Sequence, residues 1–324
     1  MSDLLSTETR DRRRKMLRTA MGPAIAQALD EPEVVEILVN PDGCLWLDRQ
    51  GSGRSSAGVA LTPHQADRII RLVASYLRVE ASPRCPIVSA ELPETGERFE
   101  GLLPPVTTAP CFAIRKHTVT AVRLKDYVTA GITTPVVAKM LADAVVAARN
   151  ILVAGGTGSG KTTLANALLA EVASLAERVI IIEDTRELHC SAKDAVALRT
   201  KPGVATLADL VRSTLRLRPD RIVVGEVRGA EALDMLKAWN TGHPGGIATV
   251  HANSARAALY RLEQLIQEVV VTVPRHLIAH AIDVIVFIVG RGSERRIQTV
   301  AEVKGLGPDG DYVLVTLQGV PNNL

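Results

Sequence analysis

The stretch of residues 150–163 constrains the fold of this chain more than any other feature. A short, mainly apolar run, 150–154, leads directly into a glycine-rich sequence that satisfies the pattern G-x-x-x-x-G-K-[ST]. Glycines leave room for several backbone N–H groups to converge on a phosphate, and the following helix adds its positive N-terminal end, so this order predicts a nucleoside-triphosphate site. The predicted phosphate loop consists of Gly155, Gly156, Thr157, Gly158, Ser159, Gly160, Lys161, Thr162 and Thr163.

Two side chains of this loop carry most of its predicted chemistry. Lys161 is expected to reach the β- and γ-phosphates, and Thr162 offers a hydroxyl to the Mg²⁺ ion that bridges them. Thr163 is expected to lie in the helix beside the site. The motif therefore predicts a nucleotide bound together with Mg²⁺.

The composition excludes several classes of protein. With 324 residues, 47% of them apolar and 23% charged, the chain is long enough for two globular domains. A net charge of +3 and an aromatic content of 3% argue against nucleic-acid binding as the main activity. The cysteines are far apart, no apolar segment has the length of a membrane span, and the start lacks a signal-peptide pattern. We therefore expect a cytoplasmic protein without a zinc site and without sequence-specific binding of nucleic acid.

The chain divides into two blocks of different pattern. Residues 1–117 predict a helix over 6–30, a β-hairpin, a second helix near 62–77 and three further strands, which together make a small α+β domain. Residues 118–134 have mixed polarity and are predicted to be a linker. Over residues 135–324 helices and apolar strands alternate, which is typical of an α/β domain with a mainly parallel sheet.

The first predicted helix carries a cluster of basic residues in its N-terminal half. Such a cluster is most often a solvated helix face, and the alternative is a peripheral, reversible attraction to an anionic membrane. The cluster consists of Arg10, Arg12, Arg13, Arg14, Lys15 and Arg18.

Polar side chains follow three apolar strands of the second block. Because ligands of parallel sheets bind at the carboxyl ends of strands, Glu183, Glu226 and His251 are expected to lie near Lys161. One carboxylate can hold a metal-bound water while the other orients the attacking water and draws its proton. Glu226 occupies the Walker B position, where many phosphate-loop proteins carry Asp, so we place it with Thr162 on the metal side. Glu183 is then assigned to the water, and the reverse assignment stays open.

Four motifs follow one another in the second block. They are Ile182-Glu183-Asp184-Thr185-Arg186-Glu187-Leu188, Leu217-Arg218-Pro219-Asp220, Gly225-Glu226-Val227-Arg228-Gly229 and a histidine box over 241–254. In order and spacing they resemble the secretion or traffic ATPase superfamily, and the His-Pro-Gly-Gly form of the box is similar to its TrbB-type conjugal-transfer and type IV secretion branch. The chain departs from type II secretion and pilus-extension ATPases in lacking their four-cysteine zinc module.

The resemblance implies an architecture and further site residues. It implies a RecA-like P-loop ATPase domain preceded by a smaller, sensor-like α+β domain, assembled as a ring of six with ATP between subunits. It also implies arginines that reach the triphosphate from the same chain or from a neighbour, and Arg115, Arg123 and Arg218 are the candidates. His251 would sense the γ-phosphate from the end of its strand.

The function implied is Mg²⁺-dependent ATP hydrolysis that powers a conjugal-transfer or type IV secretion machine. The implied partners are further copies of the chain in a homo-hexamer and the inner-membrane components of that machine. Three alternatives stay open: an ATPase for pilus assembly outside conjugation, a scaffold that binds ATP with negligible hydrolysis, and a nucleic-acid motor of the same core fold.

Overall fold

The computed structural model describes residues 7–77, 79–93, 96–116, 122–201 and 203–317. The chain forms two compact units, Met1–Val119 and Thr120–Leu324. In the described part of the chain, every helix is too short or too polar to cross a bilayer. The predicted boundary between the first domain and the linker falls at residues 117–121, which lie outside the described residues.

The first unit is a six-stranded antiparallel sheet with two helices. Its strands lie in the order β3-β2-β1-β6-β5-β4. The core contains apolar residues of both helices and of the sheet, including Ile25, Ile37, Ile69 and Ile114. The elements are α1 (Thr7–Asp30), β1 (Val34–Val39), β2 (Cys44–Arg49), β3 (Gly53–Ala60), α2 (Pro63–Leu77), β4 (Ile87–Glu91), β5 (Arg98–Leu102) and β6 (Cys111–Arg115).

Local sequence explains the predicted hairpin and second helix. In the hairpin turn Gly43 has a φ of 82° and lies so close to the backbone that a Cβ there would be 2.2 Å from the Leu61 oxygen. At the start of α2 the Thr62 hydroxyl accepts a hydrogen bond from the Gln65 N–H, and Pro63 takes the first helical position.

Three features of the first unit differ from the sequence prediction. The helix predicted over 6–30 contains a kink at Gly22, whose φ is 74°, followed by Pro23. The exposed strand β3 was not predicted, because its alternating small and polar residues carry no apolar pattern. Of the basic cluster, Arg12, Lys15 and Arg18 are exposed, whereas the side chains of Arg10, Arg13 and Arg14 lie outside the described residues.

The second unit is an eight-stranded sheet in the order β14-β13-β12-β7-β11-β10-β8-β9. The six strands from β12 to β9 are parallel, and β13 and β14 extend the sheet antiparallel. The strands are β7 (Ile151–Gly155), β8 (Arg178–Glu183), β9 (Asp194–Arg199), β10 (Arg221–Val227), β11 (Ile247–His251), β12 (Val284–Val289), β13 (Arg296–Leu306) and β14 (Tyr312–Thr316).

Helices cover both faces of this sheet. The side chains of β7 alternate between two apolar cores, with Leu152 and Ala154 in one and Ile151 and Val153 in the other. The helices are α3 (Leu124–Thr129), α4 (Pro135–Val146), α5 (Lys161–Val172), α6 (Leu207–Thr214), α7 (Glu231–Asn240), α8 (Ala255–Gln267) and α9 (Arg275–Ala281).

Part of the segment predicted as a linker folds as a helix of the second unit. Within residues 118–134 the helix α3 buries Leu124 and Tyr127, which are 3% and 1% exposed and pack into the core around α5. The polar residues Lys125 and Asp126 between them face solvent, which gave the segment its mixed polarity. Residues 124–134 are therefore part of the second unit.

Asn150 joins three strands at their starts. It is 5% exposed, its Nδ2 donates to the Ala281 oxygen at 2.8 Å, and its Oδ1 accepts from the Gly246 N–H at 2.9 Å. Its own N–H donates to Asp283 Oδ2 at 2.8 Å. One amide side chain thus ties the beginning of β7 to the segments that lead into β11 and β12.

We expect Asn150→Leu to destabilise the second unit. The apolar side chain has a similar volume but leaves a buried N–H and a buried carbonyl without a partner, at a cost of about 1–3 kcal/mol for each. Denaturant unfolding should show this loss, whereas Asn240→Leu at the exposed end of α7 should change the free energy of unfolding by less than about 0.5 kcal/mol. Equal stabilities of the two variants would contradict the role given to Asn150.

Candidate functional site

Most of the predicted site residues of the second unit meet at the carboxyl edge of the parallel strands. In register, His251 at the end of β11 lies opposite Gly155 at the end of β7. Glu183 ends β8, and Glu226 is the last residue but one of β10. The topology therefore brings together the phosphate loop, both predicted carboxylates and the predicted histidine.

The phosphate loop requires glycine at several positions. A Cβ on Gly155 would lie 2.4 Å from the Ile288 oxygen and 2.6 Å from Ser159 Oγ. Gly158 and Gly160 have φ values of 76° and 95°, a region that other residues rarely adopt. Ser159 Oγ closes the loop by donating to the Gly156 oxygen at 2.9 Å.

Lys161 is held inside this loop. It is 7% exposed, and its Nζ donates to the Gly156 oxygen at 2.9 Å. The same Nζ lies 3.4 Å from Nε2 of His251. A cation is thus fixed at the start of α5, where the N-terminal end of the helix also favours an anion.

Glu226 lies between a histidine and an arginine. Its Oε1 is 2.7 Å from Nε2 of His251, and its Oε2 accepts from Nε of Arg228 at 2.9 Å. Burial and the neighbouring Lys161 lower the pKa of His251, while Glu226 opposes that shift. We conclude that His251 is neutral at physiological pH, so it can accept or donate a hydrogen bond next to Lys161.

Glu183 has a structural task that the sequence did not reveal. It is 4% exposed, and its Oε1 accepts hydrogen bonds from the N–H groups of Glu187 and Leu188 at 3.0 and 2.9 Å. A Cβ on residue 225 would lie 2.9 Å from Glu183 Cγ, which explains the glycine before Glu226. The turn held in this way places Glu187, whose Oε2 accepts from Thr162 Oγ1 at 3.2 Å.

The three predicted arginines lie in different places. Arg115 ends β6 in the first unit, half exposed, with its Nε 3.8 Å from Glu36 Oε1. Arg123 is exposed at the start of α3 in the second unit. Arg218 does not lie at the carboxyl edge. It lies shortly before the start of β10, at the opposite edge of the sheet from the phosphate loop of its own chain. The reason is that α6 runs back to that edge before β10 begins.

Sequence reasoning missed the loop between β12 and β13. Arg291 in this loop donates from Nε and NH2 to the Thr157 oxygen at 3.2 and 3.0 Å. Arg295 packs against Gly160, where a Cβ would lie 2.8 Å from the arginine Nε. The sequence contains one signal for this loop: the mainly apolar run 282–289 is followed within a few residues by arginines. Since β12 is a parallel neighbour of β7, the residues that follow it lie at the same edge as the phosphate loop.

The residues at this edge fit a magnesium nucleotide. The glycine loop leaves space that side chains would fill, and Lys161 supplies the charge for phosphate oxygens. The described residues contain no group of three or more His, Cys, Asp and Glu side chains able to hold a metal ion. Mg²⁺ usually takes one or two protein oxygens together with phosphates and water. Thr162 is the hydroxyl in place, with Glu187 beside it.

Comparisons with known proteins identify relatives of the chain. The family model described as Type II/IV secretion system protein matches residues 60–293. Conjugal transfer protein TrbB of Rhizobium radiobacter is 47% identical over 90% of this chain and 90% of its own length. Type IV secretion system protein PtlH of Bordetella pertussis is 33% identical over 86% of this chain and 93% of its own length.

A solved structure supports the fold. The pilus retraction motor PilT with bound ADP has a TM-score of 0.59 and 21% identity, covering 92% of this chain and 82% of its own. The predicted family and the predicted fold class, a RecA-like P-loop domain with a smaller N-terminal α+β domain, are confirmed.

We expect Glu183→Ala to loosen the turn after β8. The variant leaves two backbone N–H groups without their acceptor, and each costs about 1–3 kcal/mol if it stays buried. Glu183→Gln keeps an acceptor oxygen and is the matched control. Amide hydrogen exchange at Glu187 and Leu188 should accelerate in the alanine variant and stay close to that of the parent chain in the glutamine variant. Unchanged exchange in Glu183→Ala would show that another group holds the turn.

Proposed function

The chain belongs to the type II/IV secretion system protein family, and from that premise we propose that it is a Mg²⁺-dependent ATPase that powers a conjugal-transfer machine. The observation that carries the proposal is the convergence of Lys161, Glu226 and His251 on the phosphate loop. The identity to a conjugal transfer protein is higher than the identity to a type IV secretion system protein, 47% against 33%, which favours conjugation over other secretion.

The reaction proposed is attack of water on the γ-phosphate of ATP. Lys161 neutralises the phosphate oxygens as charge develops on them, and it is already desolvated at the N-terminal end of α5. Mg²⁺, when bound, would supply positive charge that offsets part of the charge of the phosphates. Thr162 would hold the ion from the protein side.

The two carboxylates would share the remaining work. Two backbone N–H groups hold the carboxylate of Glu183 in one orientation, as a general base that must accept a proton from a placed water requires. Glu226 would hold a metal-bound water, with Arg228 and His251 fixing its position. Neutral His251, close to both Lys161 and Glu226, is placed to respond to the γ-phosphate.

Assembly as a homo-hexamer on the cytoplasmic face of the inner membrane is part of the proposal. The supporting feature is Arg115, a half-exposed arginine in the first unit that has only a long ion pair with Glu36 among the described residues. In a ring it would reach the triphosphate of a neighbouring subunit. Arg218, at the opposite edge from its own phosphate loop, is a second candidate for action between subunits. The inner-membrane components of the transfer machine, and its anionic lipids through the basic residues of α1, are the proposed partners.

Lys161→Ala tests the proposed activity. We expect steady-state phosphate release with Mg-ATP to fall by about a hundredfold or more, because a main phosphate contact contributes several kcal/mol to transition-state stabilisation. Lys139→Ala removes an exposed lysine of α4 and should keep turnover within about twofold. A variant that kept more than about a tenth of the parent turnover would contradict the site. A parent chain that binds ATP without releasing phosphate would favour the scaffold alternative.

Mixing variants tests whether Arg115 acts between subunits. Arg115→Ala and Lys161→Ala chains should each be inactive alone, one lacking the arginine and the other the phosphate contact. Mixed rings contain some interfaces with both groups, so phosphate release should partly return on co-assembly. Arg68→Ala, at an exposed position of α2, serves as the control and should be active alone. No recovery in the mixture would place the action of Arg115 within its own chain.

A further inference from the structure

The loop between β12 and β13 lies against the phosphate loop. Arg291 donates two hydrogen bonds to the Thr157 oxygen. A Cβ on Gly158 would lie 3.2 Å from Nε of Arg291, and one on Gly160 would lie 2.8 Å from Nε of Arg295. Two guanidinium groups thus cover successive glycines of the loop.

The two arginines differ in their partners. The Arg291 guanidinium is bonded to the Thr157 carbonyl. In contrast, the Nε of Arg295 is buried without a hydrogen-bond partner among the described residues. A buried donor without an acceptor costs free energy and requires an explanation, and a bound anion is one that suits a guanidinium.

The neighbours of Arg295 do not satisfy its buried Nε. The Tyr127 hydroxyl is also buried without a hydrogen-bond partner among the described residues, so this phenol does not bond to the arginine. Burial raises the pKa of Tyr127, and the positive charge of Arg295 acts against that rise. The neighbouring Arg296 instead donates to the Glu294 oxygen.

The sheet order decides which part of a nucleotide this flank faces. The strand β7 lies between β11 and β12, and the strands carrying His251, Glu226 and Glu183 are all on the β11 side. The terminal phosphate, where water attacks, belongs beside those groups. Arg295 follows β12 on the other side of β7, so it faces the part of the ligand farther from the reacting phosphate.

We propose that Arg295 binds the diphosphate part that ADP and ATP share, as a nucleotide-contact residue of the phosphate loop. The inference rests on the proposed function, because it takes the phosphate loop as a nucleotide site. Guanidinium is suited to this contact because it is always charged and presents its donors in a fixed fork.

A contact to the shared diphosphate has a distinct kinetic signature. Such a contact stabilises the ground state and the transition state by the same free energy. Its loss therefore raises KM and leaves kcat at saturating ATP unchanged. Loss of one charge-assisted hydrogen bond corresponds to about a tenfold to hundredfold loss of affinity. Lys161, which acts on the developing charge, should instead lower kcat.

The experiment compares Arg295→Met with Arg296→Met in the full chain. Each variant removes one cation from adjacent positions, and methionine keeps an apolar stem of similar length. Titration calorimetry with Mg-ADP should give a dissociation constant raised by about tenfold or more for Arg295→Met and by less than about twofold for Arg296→Met. Arg295→Lys, which keeps the charge, should recover part of the affinity, and thermal unfolding reports on the fold of each variant.

The outcomes separate the two levels of inference. If the parent chain binds no Mg-ADP, the proposed function fails and this inference fails with it. If the parent chain binds Mg-ADP and Arg295→Met binds equally well, only the role of Arg295 is overturned. Equal losses in Arg295→Met and Arg296→Met, or a fall of kcat with KM unchanged, would also overturn it.

Discussion

The pairing of β7 with its two parallel neighbours, β11 and β12, is the interaction on which the rest of the second unit depends. Asn150 ties the three strands together at their starts, and the pairing carries that alignment to the opposite edge. There the phosphate loop follows β7, His251 ends β11, and the arginine loop follows β12. Because the register is fixed at one edge, groups far apart in sequence meet at the other without depending on flexible connections.

Four polar side chains form a chain of contacts at this edge. Lys161 lies beside a neutral His251, His251 beside Glu226, and Glu226 beside Arg228, with separations of 3.4, 2.7 and 2.9 Å. The cationic Arg228 and the neutral His251 contact the two oxygens of the Glu226 carboxylate, and the lowered pKa of His251 keeps a second cation away from Lys161. Positive charge is therefore concentrated on the phosphate loop, and both carboxylates lie on one flank of it.

Sequence predicts this fold well where the signal is local. The phosphate loop is a contiguous motif, and buried parallel strands show as apolar runs with a polar residue at the end, so Glu183, Glu226 and His251 could be placed together. Contacts between distant segments are harder to predict. The pairing of β12 with β7 is not visible in the sequence of either strand alone, so the positions of Arg291 and Arg295 beside the phosphate loop could not be predicted. The helix α3 looks like a linker because it is only six residues long and buries only Leu124 and Tyr127 fully. Arg218 is close to Glu226 in sequence, but Arg218 lies before β10 and Glu226 lies near the end of β10. The two residues are therefore at opposite edges of the sheet.

The central claim is that one magnesium nucleotide lies along this edge, with its terminal phosphate on the carboxylate side. An experimental structure of the chain with Mg²⁺ and a non-hydrolysable ATP analogue tests it most directly. We expect the β-phosphate within the backbone N–H groups of residues 155–161, and the γ-phosphate between Lys161 and the pair formed by His251 and Glu226. A γ-phosphate directed toward the loop between β12 and β13, or an analogue bound away from α5, would contradict the account.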